Sequence, residues 1–357
     1  HLVMSDTAQK RDISDPRTVS DFAAIVQSPE RLRLLLVLTV ADIRAVGPGV
    51  WNGWKGQLLR ELYSATEAVF RGGRGSDAAA ALRRYQENAA YDARVRLAKS
   101  DASAEPWGDA MEDAYFTAFE DTEVLAHARL SRAAHENSGA AAEGRVRADL
   151  NASEVVVAAH DRPRLFVDLA EAITAAGANI VGARVFTSRQ KQALDVFYLQ
   201  DITGAPFGGV DPRALTRLAD QLAAAARGEP HGREPRRQDL TRAAAFAITP
   251  AVMLDNDASE TSTVVEASGR DRPGLLAALA RTLSDAGLLI TSAHIGGYGE
   301  RAVDAFYVVD ETAGKVTDAR KGNTLKAALL VDLNAGEVES AKARRTNLQQ
   351  ARASSAR

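Results

Sequence analysis

The segment Asp271-Arg272-Pro273-Gly274-Leu275 has a counterpart 110 positions earlier, Asp161-Arg162-Pro163-Arg164-Leu165, and this duplication constrains the fold more than any other feature of the chain. At the same offset Leu169 falls on Leu279, Ala176-Gly177 on Ala286-Gly287 and Ile180 on Ile290. After a one-residue gap, Asp195-Val196-Phe197-Tyr198 falls on Asp304-Ala305-Phe306-Tyr307. Recurrence at a fixed spacing marks one supersecondary unit used twice.

Each copy predicts the order β-α-β-β. Val155 to Val157 and Thr263 to Val265 are β-branched runs that end at the Asp-Arg-Pro turn, where proline fixes φ and favours the start of a helix. Leu165, Phe166, Leu169, Ile173 and Ala176 then share one helical face, as do Leu275, Leu276, Leu279, Leu283 and Ala286. Gly177 and Gly287 stand where a helix end wants a residue tolerant of positive φ. Strands are expected at Ile180 to Phe186 and Leu194 to Leu199, and again at Leu289 to Ile295 and Val303 to Val309. Asp211-Pro212 reads as an N-cap and N1 pair opening a further helix, and a last helix is expected near Asn323 to Leu330. Ala245 to Leu254 reads as a strand that turns back through Asp255 to Ser259.

The strand, Asp-Arg-Pro-Gly-Leu turn, amphipathic helix and Ala-Gly-x-x-Ile strand resemble the ACT domain, a ferredoxin-like βαββαβ module that binds small effectors, usually amino acids. Two in tandem are similar to the end of the bifunctional PII uridylyltransferase/uridylyl-removing enzymes, which carry a nucleotidyltransferase domain and an HD phosphohydrolase domain ahead of the ACT pair. His1 to Ser5, Ala8 to Asp12 and Trp51-Asn52-Gly53-Trp54-Lys55 through Tyr63 resemble parts of that HD region. The expected chain is α+β: an all-helical HD remnant (1–75), a helical connector (76–150), ACT copies at 151–228 and 262–340, a linker and strand between them (229–261), and a charged tail (341–357). Because its opening reads as mid-domain sequence, the chain is expected to be the C-terminal fragment of such an enzyme.

Composition sets the class of partner. A net charge of -3 over 357 residues and the lack of a long basic patch give no reason to expect nucleic acid. The sequence contains no cysteine, which excludes disulfides and Cys-based zinc sites and fits a cytoplasmic location. No apolar run approaches a membrane span.

For effector binding the candidates are Asp161, Arg162, Pro163 and Asn179 in the first copy and Asp271, Arg272, Pro273 and Gly274 in the second. A strand-to-helix turn offers unpaired N–H groups at a positive helix end, which suits a carboxylate; Asp161 and Asp271 would accept an ammonium, and Asn179 would meet a side-chain amide. The competing account is turn chemistry alone, with Asp capping the helix and Arg solvated. Arg164 in place of a small residue argues for the second site being the more open, whereas Asn179 favours the first.

In the helical part, Asp42 stands in the apolar run Leu38-Thr39-Val40-Ala41-Asp42-Ile43. A carboxylate so placed needs a hydrogen bond, a partner or a metal. It is either a satisfied buried or helix-end residue or, by the resemblance, the last ligand of an HD site for a divalent metal (Mg or Mn), with the other ligands lying upstream. Trp51 and Trp54 read as core or interface packing, and His127 and His135 lack a surrounding ligand cluster. The resemblance implies uridylyl transfer from UTP to the PII signal protein, its hydrolytic removal, and glutamine as the effector. The fragment itself is expected to lack a complete catalytic site. Two alternatives stay open: a binding module without catalysis, and a (p)ppGpp synthetase/hydrolase, which expects one ACT domain.

Overall fold

The computed structural model describes residues 2–46, 51, 53–72, 77–229, 248–298 and 301–335. His1, Asn52, Gly73, Gly75, linker residues 230–238, the start of the strand read from Ala245, and the tail after 335 lie outside the described residues. The helical part comprises α1 (Leu2–Lys10), α2 (Pro16–Val26), α3 (Pro29–Val46), α4 (Gly53–Arg71), α5 (Ala78–Ser100), α6 (Glu105–Ala110) and α7 (Asp121–Glu136), with 3-10 turns at Ala102–Ala104 and Asp113–Thr117. Asp15 caps α2 by accepting from the Arg17 N–H at 2.9 Å, with Pro16 at the first helical position.

Two four-stranded antiparallel sheets follow, as expected for tandem ACT copies. The first contains β1 (Ala140–Arg147), β2 (Ala152–His160), β3 (Asn179–Thr187) and β4 (Gln192–Gln200), in the order β1-β2-β4-β3, with helices α8 (Leu165–Ala175) and α9 (Pro212–Ala226). The second contains β5 (Ala251–Asp255), β6 (Thr263–Arg270), β7 (Leu288–Tyr298) and β8 (Arg301–Asp310), in the order β5-β6-β8-β7, with α10 (Leu275–Asp285) and a closing helix α11 (319–335).

The structure departs from the expected βαββαβ order at one edge of each sheet. The strand beside β2 or β6 comes from upstream, so each unit reads ββαββα. β1 therefore falls inside the stretch expected to be a helical connector. Its sequence, Ala-Ala-Ala-Glu-Gly-Arg-Val-Arg, has poor strand propensity. Tertiary contacts override that weakness: all eight residues pair with β2. Arg145 and Arg147 reach the buried Glu154 of β2 and Glu123 of α7. Gly144 lets α9 close down, since a Cβ there would lie 2.8 Å from Leu215 Cγ.

The two copies pack side by side and share one apolar core, from Val155, Leu169 and Phe197 through Val265, Leu279 and Phe306. α8 and α10 meet about a pseudo-twofold axis. Arg164, at the start of α8, pairs with Asp285 at the end of α10 (2.8 Å), and Gly274, at the start of α10, abuts Thr174 near the end of α8. Glu171 and Arg281 occupy equivalent positions in the two helices and bond each other across that axis at 2.8 Å.

The opposite face of the first sheet is covered by the helical part. Leu194, Val196 and Tyr198 enter a second core with Met4, Trp54 and Tyr115. Trp54 lies 4.2 Å from the Tyr198 ring, and Arg184 of β3 stacks over it at 4.8 Å while bonding Glu61 of α4 at 2.7 Å. The expected packing role of Trp54 is thus that of an interface anchor.

Candidate functional site

The duplicated Asp-Arg-Pro segments form the same turn twice. The Leu165 N–H donates to Arg162 O at 3.2 Å and the Leu275 N–H to Arg272 O at 3.1 Å. Between them Arg164 (φ 68°, ψ 3°) and Gly274 (φ 78°, ψ 5°) are left-handed, the signature of the third position of a type II turn after proline. The helices accordingly start two residues beyond the prolines rather than at them.

Turn chemistry alone does not describe these segments. No side chain caps α8 or α10 at its N-cap residue. Arg162 and Arg272, moreover, are half-buried and held by helix ends. Arg162 donates to the carbonyls of Ala225 and Ala226 at the end of α9, and Arg272 to that of Asp332 near the end of α11. Cations there satisfy unpaired carbonyls at a negative helix end.

Beneath each turn lies a carboxyl that the sequence reading aligned but did not single out. Asp195 of β4 and Asp304 of β8 are each 2% exposed, and one oxygen of each has no hydrogen-bond partner. Burial pushes the Asp195 carboxyl up to about 8, assisted by the charge of Asp161. Asp304 is pushed to about 8 by burial and by Asp271, against a lowering bond from the Gly296 backbone. A carboxylate inside an apolar strand, retained in both copies, was the signal that could have found them.

A cavity of about 540 Å3, within the size range of small-molecule sites, opens at the first of these turns. Asp161, Arg162, Arg164 and the first residues of α8 form one wall with Asp195, and Ser284, Leu288, Leu289 and Ile290 of the second copy form another. The lining continues past Arg184 of β3 and His294 of β7 to the helical part, where it includes Trp54, Glu61 and Tyr85. One cavity therefore touches both ACT copies and the helices.

The strand register divides the sequence-derived candidates between two places. β4 pairs Asn179 with Gln200 at one end and Thr187 with Ala193 at the other, while His160, next to Asp161, sits opposite Gln192. Asn179 is consequently at the far end of the sheet from Asp161. Near the end of α8, on the Asn179 side, Thr174 abuts Gly274 of the second copy. Leu289, the counterpart of Asn179, lines the cavity beside Asp161. The cavity at the first turn is therefore composite, with Leu289 and not Asn179 in its lining.

Asp42 is exposed on α3, spaced by four from Leu38 and by eight from Leu34, which are 58% and 64% exposed. Among the described residues no group of three or more His, Asp or Glu could hold a metal ion. His127 is buried, with its Nδ1 2.8 Å from Tyr115 Oη, and burial holds its pKa down to about 4; His135 is exposed. No helix of the described residues is long and apolar enough to cross a membrane.

Comparison with known proteins agrees with this architecture. The ACT domain family matches residues 263–320, the core of the second copy. The whole chain is 80% identical to part of a bifunctional uridylyltransferase/uridylyl-removing enzyme of Phenylobacterium zucineum (strain HLK1), covering 38% of that protein. It is 67% identical, with the same coverage, to the enzyme of that name from Caulobacter vibrioides (strain NA1000 / CB15N). The Azospirillum brasilense enzyme is 43% identical over 92% of the chain and 36% of its own length. The chain thus spans well under half the length of these relatives. From end to end it is similar to the C-terminal part of the bifunctional uridylyltransferase/uridylyl-removing enzymes, with an ACT domain at residues 263–320.

Proposed function

We propose that the chain is the regulatory end of a cytoplasmic enzyme that transfers uridylyl groups from UTP to the PII signal protein and removes them by hydrolysis, with glutamine bound by the ACT pair as the effector. The observation carrying this reading is the composite cavity, which joins an Asp-Arg-Pro turn, the neighbouring copy and the helical part. A ligand shifts an equilibrium only by its differential affinity for two arrangements. A guest in this cavity touches the ACT copies and α4 together, so it can favour one arrangement of the helices on the sheets.

In this reading α1 to α4 are part of an HD phosphohydrolase domain, and Asp42 is the last ligand of its divalent metal, Mg or Mn. The described residues do not assemble a cage for such an ion. The exposed Leu34, Val37 and Leu38 beside Asp42 give α3 an apolar surface suited to cover by further protein of the same domain.

Isothermal titration of the full chain with glutamine, beside an assay of uridylyl-PII hydrolysis, tests the proposal. Binding without turnover is the expected result. Asp271→Ala and Asn179→Ala should each weaken binding if these loops receive the amino acid. Unchanged affinity in both variants removes these loops from the site, and absence of binding removes the sensor.

A further inference from the structure

The cavity at the first turn offers opposite charges at short range. Asp161 is exposed at its mouth, and Asp195 lies below with one carboxyl oxygen unpartnered. The same wall includes Phe166 and Val167 in the first turn of α8, whose N–H groups lack intrahelical acceptors, whereas that of Leu165 is taken by Arg162 O. A carboxyl oxygen so buried and without a hydrogen-bond partner costs free energy. A donor brought in by a ligand would relieve that cost.

We propose that Asp195 is the ammonium-binding residue of the first copy: its carboxylate receives the α-ammonium of a free amino acid, while the Phe166 and Val167 N–H groups of α8 receive the α-carboxylate. This deepens the amino-acid-sensing reading and rests on it. The neighbouring charged groups sort accordingly. Arg162 is held by Asp168 and the end of α9, and Arg164 is held by Asp285 of the second copy. Lys191, in the turn before β4, lines the cavity, and Asp161 stands at its mouth. Of these, Asp161 is the charge that acts on Asp195, and it favours a cationic guest. Asp304, the equivalent carboxyl, does not line this cavity.

The Asp195 carboxyl is protonated near neutrality, because burial holds its pKa at about 8. An incoming ammonium stabilises the carboxylate, so the carboxyl proton leaves to solvent and the ligand keeps all of its own. Binding is therefore coupled to release of about one proton.

Titration of glutamine into the full chain at pH 7, in phosphate and in Tris, counts that proton through the differing ionisation enthalpies of the buffers. Wild type should release about one proton, whereas Asp195→Asn should bind about ten-fold or more weakly, the scale of one hydrogen bond to a charged group, and release none. Glutaramate, which is glutamine without its amino group, should bind wild type and Asp195→Asn equally. Wild-type binding without proton release, or an Asp195→Asn variant matching wild type in affinity and proton count, overturns the assignment. The proton count on wild type holds whether or not the variant folds. A wild-type chain that binds no glutamine overturns instead the sensing reading beneath it.

Discussion

Asp195 and Asp304 sit in strands whose other inward residues are apolar, so folding leaves them protonated over a range in which the unfolded chain has ionised them. Their folded pKa values lie near 8, above the ordinary carboxylate value. The stability associated with each is fully present below about pH 4, falls as pH rises, and is lost through about pH 8. The limiting slope is about 1.4 kcal/mol per pH unit per group. Urea denaturation should show wild type less stable at pH 8 than at pH 5, and Asp195→Asn should reduce that difference. An unchanged difference would mean that Asp195 ionises normally in the fold.

Gly274 supports a second prediction at this scale. Its φ is 78°, and an added Cβ would lie 3.3 Å from Thr174 Cγ2. Gly274→Ala should cost about 1–2 kcal/mol, the penalty of a left-handed L-residue, measurable by urea denaturation. The first copy already carries that strain at Arg164, which retains an exposed ion pair to Asp285. The Pro-Gly pair made the second turn legible in sequence. The first was legible only by repetition, because Arg at the left-handed position carries no local signal.

At the scale of elements, Trp54 fixes α4 to the first sheet. It stacks on Tyr198, lies under the Arg184 guanidinium, and occupies space left by Gly182, where a Cβ would come within 2.7 Å of Trp54 Nε1. Trp54→Ala should destabilise the chain by about 3–5 kcal/mol, the usual range for a large buried aromatic. Gly182→Ala should cost about 1–3 kcal/mol by overpacking the same contact. Thermal melting of both variants checks the order. The repeat helices and inner strands were legible because apolar spacing alone specifies them. β1 was not, since three alanines and a glycine hold a strand only through pairing with β2 and the Arg145 and Arg147 bridges to Glu154.

For the whole molecule, the cavity predicts where a ligand acts. Glutamine binding should slow amide hydrogen exchange in α8 and β3 and alter it in α4, because residues of all three line the same space. Protection confined to α8 would leave the helical part uncoupled. Sequence located both turns but not their partners across the copies. The pairing of α8 with α10 is a long-range fact, and no local pattern assigns Leu289 of the second copy to the cavity at the first turn.

The bond between Glu171 and Arg281 has a further consequence. Positions that meet across a true twofold axis between identical subunits must carry the same residue, so charge there can only oppose itself. Fusion of the two copies freed these positions to become opposites. A covalent tether also fixes the local abundance of each half, so dilution does not separate them. The pair can respond to its guest in the same way whether the cell makes many molecules of this protein or few.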